Sequence, residues 1–221
     1  MRGFSLLLIG LLLWPAVVVA ADEPWLIDDF DQGIGSHWQR KSFQGDTHYS
    51  TISDTRGGQV LQAQSKNAAS GLFMERKFHL ADWPVLAWRW KIAGTLPNGD
   101  ATRKEGDDYA ARLYVVFPHW LFWKTRTINY IWANKLPQGE VIDNPFTANA
   151  QMLAVESGVA KAGQWVEERR NVLQDYRRIW GEEPSEVGAI AIMTDTDNTG
   201  GEALAWYDDL RLEKEPGTKK P

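Results

Sequence analysis

Val85-Leu-Ala-Trp-Arg-Trp-Lys-Ile92 alternates along its whole length. Leu86, Trp88, Trp90 and Ile92 fall on one side of an extended chain, and Val85, Ala87, Arg89 and Lys91 fall on the other. Successive side chains of a strand point to opposite faces, so this octapeptide reads as a strand with one buried face. The pattern recurs in Ala110–Phe117, where Ala111, Leu113, Val115 and Phe117 oppose Arg112, Tyr114 and Val116. It recurs again where Ile128, Tyr130 and Trp132 alternate with Asn129, Ile131 and Ala133. Further strands are predicted at Trp25–Phe30, His48–Ser53, Gln59–Gln64, Gly71–Phe78, Met152–Ser157, Gly188–Thr194 and Ala203–Leu212. Turn-forming runs such as Asp54–Gly58, Leu96–Gly99 and Asp197–Gly201 separate them. The one helix predicted is Val172–Trp180, with an apolar stripe through Val172, Tyr176 and either Ile179 or Trp180, Gly181 as its stop and Pro184 beyond. A parallel sheet would need many more helical crossovers than this. The expected fold is all-β: a two-sheet antiparallel β-sandwich of jelly-roll type with one short helix.

Residues 1–21 have the character of a cleaved signal peptide. Arg2 precedes an almost wholly apolar run from Leu6 to Val19, and small residues follow at Ala20 and Ala21. An uncleaved N-terminal anchor is the alternative, and Trp14-Pro15 interrupts the apolar run near its end. Cleavage predicts a mature terminus at Ala21 or Asp22, a periplasmic or secreted product and no remaining transmembrane span. The chain has no cysteine, so neither a disulfide nor a lipoprotein acyl anchor is available. Residues 22–213 suit one sandwich domain, and 214–221 read as a polar tail. Of 24 Lys and Arg residues only Arg2 falls in the signal segment, leaving 23 against 29 acids, a net of −6. No run gathers the basic residues into the face that nucleic-acid binding requires. Twelve Trp, eight Phe and six Tyr supply ample apolar area for a core, and Trp88, Trp90, Trp132 and Trp206 are expected there.

Several chemistries drop out. The chain has no nucleotide-binding glycine loop, no helical zinc motif, no Gly-x-Ser-x-Gly elbow and no thiol nucleophile. His37, His48, His79 and His119 are too scattered to suggest a ligand set. Acids cluster instead, at Asp28-Asp29, Asp107-Asp108, Asp195-Thr-Asp197-Asn198 and Asp208-Asp209. Asp195, Asp197 and Asn198, followed by Gly200-Gly201, are the candidate metal ligands, since a curled turn of oxygen donors suits calcium. An Asx-rich turn bonded to its own backbone remains the alternative. If the first and last strands run side by side, Asp28 or Asp29 is expected near Asp208 or Asp209.

Two features suggest a binding surface. His119-Trp-Leu-Phe-Trp-Lys124 crowds aromatics into a loop just after Pro118, so Trp120 and Trp123 can stack on sugars, rest on a partner, dip into a membrane surface or fold back as a plug. If the alternating strands bury their apolar sides, Arg89, Lys91, Arg112, Tyr114 and Asn129 line the opposite side of one sheet, a shallow surface for hydroxyl or carboxylate groups. An exposed Arg112 predicts that Arg112→Ala leaves the melting temperature within a few degrees.

The segments Asp108–Val115, Asn129–Ala133, Gln164–Arg169, Asp175–Arg178 and Ala191–Gly200, with the ending Trp206-Tyr-Asp-Asp-Leu210, occur in that order. Together they resemble the domain of unknown function 3047 family over nearly all of the mature chain. The resemblance implies a secreted bacterial jelly-roll protein, similar in outline to carbohydrate-binding modules, and no known reaction. The leading expectation is an exported, non-catalytic binding module for a glycan or similar polar polymer. Its rivals are a polysaccharide hydrolase or lyase pairing Asp107 or Asp108 with Asp195 or Asp197, and a cell-envelope scaffold protein.

Overall fold

The computed structural model describes residues 23–215. Its strands, in chain order, are β1 (Trp25–Asp28), β2 (Gln39–Gln44), β3 (His48–Ser53), β4 (Gln59–Lys66), β5 (Ala69–Phe78), β6 (Val85–Ile92) and β7 (Arg112–Phe117). They continue with β8 (Arg126–Ala133), β9 (Val141–Asn144), β10 (Thr147–Ser157), β11 (Val166–Asn171), the helix α1 (Val172–Trp180), β12 (Val187–Asp195) and β13 (Glu202–Glu213). The expected signal segment and residues 216–221 of the tail lie outside the described residues.

Two sheets face each other. The first has the order β11-β6-β13-β4-β3, with β1 also paired to β13; the second has the order β2-β5-β12-β7-β8-β10-β9. All pairings are antiparallel except one. β10 runs parallel to β8, because the chain leaves β8, forms β9 on the far side and returns through β10 between them. The sandwich is otherwise the expected all-β architecture.

The core lies between the sheets and is aromatic. Trp88, Trp90 and Trp132 are 1% exposed or less. Trp88 of β6 meets Tyr130 of β8 at 5.5 Å, and Trp90 meets Trp132 at 5.8 Å, so ring pairs bridge the two layers. A smaller apolar cluster sits on the outside of the second sheet, where Ala101 and Tyr109 of the β6–β7 connection cover Ile131, Ala133, Met152 and Ala154. The helix closes one end. Asn171 Oδ1 accepts from Gln174 N at 2.9 Å, Gly181 ends the helix with φ of 68°, and Tyr176 packs on Phe117 at 4.7 Å. No described helix is long and apolar enough to cross a membrane.

Candidate functional site

Pairing register sets out the exterior of the second sheet in rows. Phe73, Ala191, Tyr114, Asn129 and Met152 align across β5, β12, β7, β8 and β10. The next row holds Gly71, Met193, Arg112 and Ile131. Arg112, Tyr114 and Asn129 therefore do share one face, but two of them are not solvated. Arg112 is 7% exposed and Asn129 is 2% exposed, because the β6–β7 connection folds over this part of the sheet.

Arg112 has become the centre of a buried network. Its guanidinium pairs with Asp195, lies 3.8 Å from Asp107, and rests over the rings of Tyr109 and Tyr114 at 5.2 and 5.3 Å. Burial by itself would lower the Arg112 pKa, but the surrounding Asp195, Tyr114 and Asp107 outweigh it and hold the group charged. Asp107 also accepts from Tyr109 Oη at 3.1 Å and from Asn144 Nδ2 at 2.9 Å. Among the described residues, Arg112 Nε and Asn129 Oδ1 are buried without a hydrogen-bond partner, and the Tyr114 hydroxyl meets the Met193 thioether at 3.4 Å.

The candidate metal set resolves differently from its sequence. Asp195 is the last residue of β12 and fully buried, whereas Asp197 and Asn198 lie in the following turn. Asn198 directs its amide nitrogen to Asp108 Oδ1 at 3.1 Å, and Thr199 N donates to Asp108 Oδ2 at 2.6 Å. Asp108 joins the two predicted acids: carboxylate oxygens of Asp108, Asp195 and Asp197 lie within 4.8 Å of one another. Burial, and then the charge of Asp108, raise the pKa of Asp197. Since Arg112 already supplies a cation to this cluster, a chelator is expected to leave the melting temperature unchanged. A fall on chelation, restored by calcium, would place an ion among these acids.

The other predicted acid site does not form. β1 does lie beside β13, with Asp28 opposite Leu210. Yet the Asp28 carboxylate turns to its own loop, accepting from Phe30 N at 2.8 Å and Trp38 Nε1 at 2.8 Å, while Asp208 pairs with Arg89.

Arg89 corrects a second expectation. β6 belongs to the first sheet, so Arg89 and Lys91 lie on the opposite exterior of the sandwich from Arg112, Tyr114 and Asn129. Arg89 is 6% exposed, pairs with Asp54, Asp208 and Asp209, and stacks 4.3 Å from the Trp165 ring. Trp206, expected in the core, also stands half-buried on this exterior; Ala203, Ala205 and Tyr207 are the residues that β13 turns inward. Trp165 was missed in the sequence because it precedes a charged strand and shares no alternation with it.

The aromatic loop does not plug the sandwich. Trp120 is 85% exposed, Phe122 79% and Trp123 58%. Its backbone is tied internally, with Lys124 N donating to Leu121 O at 2.8 Å and Thr125 N to Phe122 O at 3.0 Å. Asn149 Nδ2 anchors it from outside, donating to Trp123 O at 2.7 Å. Pro118, at the start of the loop, lines two clefts. One of 480 Å³, lined by Val116, Pro118, Gly188, Ala189 and Glu75, opens on the exterior of the second sheet. The other, of 520 Å³, lies between His119, Lys124 and Arg126 on one side and Tyr176 and Glu182 on the other.

The chain is a two-sheet β-sandwich with an exposed aromatic loop at one end of β7. The chain belongs to the family described as protein of unknown function (DUF3047), whose model matches residues 36–211. No curated protein matches it. Among solved structures it is similar to a cellulose-induced protein, Cip1, at 11% identity and a TM-score of 0.47, covering 85% of this chain and 96% of that one. It is also similar to a non-crystalline-cellulose-specific carbohydrate-binding module, CBM28, at 16% identity and 0.45, covering 91% and 100%. A third likeness, to a structure described for carbohydrate-binding modules of the β-sandwich superfamily, has 13% identity and 0.44. It covers 86% of this chain, which spans 62% of that one.

Proposed function

We propose that the protein is an exported, non-catalytic glycan-binding module whose ligand lies along the exterior of the second sheet, between Tyr114 and the loop that carries Trp120 and Trp123. The observation that carries this reading is the loop itself: three large rings stand mostly in solvent on the segment that follows Pro118, which lines the cleft over Gly188 and Ala189. Exposed aromatic faces present flat apolar surface to the C–H faces of sugar rings, and little ordering cost is incurred because the loop backbone is already bonded. Half-buried Tyr114 offers a hydroxyl-directed bond further along the same sheet.

The carboxylates proposed for hydrolysis support binding better than catalysis. Asp195 is tied to Arg112, Asp108 accepts from Asn198 and Thr199, and Asp107 accepts from Tyr109 and Asn144. A general acid needs a group free to exchange protons with substrate. Export, as the N-terminal segment would direct, would bring the module to envelope or extracellular glycans.

The test is a glycan array followed by calorimetric titration of the best ligand against the Trp120→Ala/Trp123→Ala variant. Loss of two exposed anchor rings is expected to weaken binding at least tenfold, as truncation of aromatic hot spots does. The melting temperature should stay put, since neither side chain is buried. Unchanged affinity in the double variant would remove the loop from the site.

A further inference from the structure

The exterior of the first sheet carries an unassigned row of a different character. Trp206 of β13 pairs in register with Lys91 of β6, and Trp165, immediately before β11, stands on the other side of Lys91. The Lys91 ammonium lies 4.2 Å from the Trp206 ring centre and 5.1 Å from that of Trp165. Gln62 and Ser50 continue the row across β4 and β3. All five side chains are half-buried. The two indoles are carried by neighbours on either side of β6, so they stand about two strand spacings apart, roughly 10 Å.

Three features set this row apart from an ordinary solvated face. Large aromatic residues occupy exterior positions where the alternation of β13 places polar ones elsewhere, at Asp208 and Arg211. Lys91 makes no ion pair among the described residues, although acids are abundant on the same face. Next to it lies a cleft of 240 Å³ lined by Arg89, Glu167, Glu168, Arg169, Asp209 and Arg211, where Arg89 is already held by Asp54, Asp208 and Asp209.

We infer that this face is a second, separate binding site, and that its ligand is an acidic glycan: a chain of pyranose rings bearing carboxylates. The indoles of Trp165 and Trp206 supply stacking surface for two rings. The unpaired ammonium of Lys91 meets a carboxylate between them, and Gln62 and Ser50 serve hydroxyls. An uncharged glycan would use the rings and leave Lys91 unanswered, so charge confers the selectivity. The inference stands independently of the groove on the second sheet.

Titration of the full-length mature protein with oligogalacturonate, and with a neutral cello-oligosaccharide of equal length, tests it through tryptophan fluorescence and calorimetry. Oligogalacturonate is expected to bind at least tenfold more tightly than the neutral chain, with affinity falling as salt rises. Lys91→Gln should remove that preference and its salt dependence, and Trp206→Ala should weaken oligogalacturonate binding at least tenfold. Trp206→Phe, which keeps a ring, should retain most of it and serves if the alanine variant melts early. Trp120→Ala/Trp123→Ala should leave oligogalacturonate binding unchanged, which separates this site from the loop. Failure of the wild-type protein to bind oligogalacturonate, or unaltered binding by Lys91→Gln, overturns the inference.

Discussion

Arg112→Ala is expected to destabilise the protein by about 3–5 kcal/mol, the cost of removing one member of a buried ion pair and stranding the other. At this chain length that corresponds to a fall in melting temperature of roughly 6–20 °C. The sequence-based expectation was the reverse, because Arg112 alternates with apolar residues and reads as exposed. In the folded protein it is 7% exposed and holds Asp195, itself fully buried, with Asp107 and two tyrosine rings around it. The stranded carboxylate, more than the missing contact, sets the magnitude. It follows that Arg112→Met combined with Asp195→Leu should recover part of the loss, since the Asp195 charge would no longer be stranded. Thermal melts of the single and double variants decide the matter. A single variant that melts within two or three degrees of wild type would mean that Arg112 contributes no more than a surface group.

The second large effect concerns pH. Glu168 on β11 has its pKa pushed up to about 7, first by burial and then by the charge of Glu156, against opposing contributions from Trp90, Lys161 and Arg170. A carboxylate whose folded pKa exceeds its unfolded value binds more protons in the folded state. Stability therefore falls as pH rises from about 4.5 toward 7, and the full penalty is present above that window. A shift of this size would correspond to about 3 kcal/mol if fully expressed, and partial solvent contact reduces it to roughly 2 kcal/mol. Glu168→Gln removes the titration and should stabilise the protein by that amount at pH 8 while changing little at pH 4.5. Urea unfolding at the two pH values measures the difference directly. Equal effects of the substitution at both would show that Glu168 ionises normally.

How far the sequence disclosed the fold depended on where each strand lies. Val85–Ile92 and Val172–Trp180 were legible to the residue, because each carries a full hydrophobic period and an unambiguous stop. Three strands were missed. Gln39–Gln44 is exposed throughout, Val166–Asn171 is mostly charged, and Val141–Asn144 is only four residues long. These lie at the sheet edges, where backbone pairing to one neighbour holds the strand and no buried face imposes alternation. Alternation located Arg89, Arg112 and Asn129 on the outward side of their strands. It carries no information on which sheet a strand joins, or on whether a connection such as residues 93–111 will cover that side. Trp206 failed for a further reason. Trp88, Trp90 and Trp132 already fill the interior opposite β13, so small Ala203 and Ala205 face inward and Trp206 is displaced outward. A bulge between Asp208 and Arg211, with Asp209 at φ of 52°, then resets the phase so that Leu210 and Leu212 point in. No uniform period spans such a strand.

β13 has a consequence for how the molecule comes into being. It is the last of the described strands in chain order, and it pairs with β1, β4 and β6. Until it joins, β1 has no partner, β4 has only β3 and β6 has only β11, so the first sheet lacks its middle. Folding of this sheet is governed by contacts between residues nearly two hundred positions apart, such as Trp25 with Leu212. Until that contact closes, the chain presents unpaired edges and tryptophan-rich strands, the kind of surface on which aggregation starts.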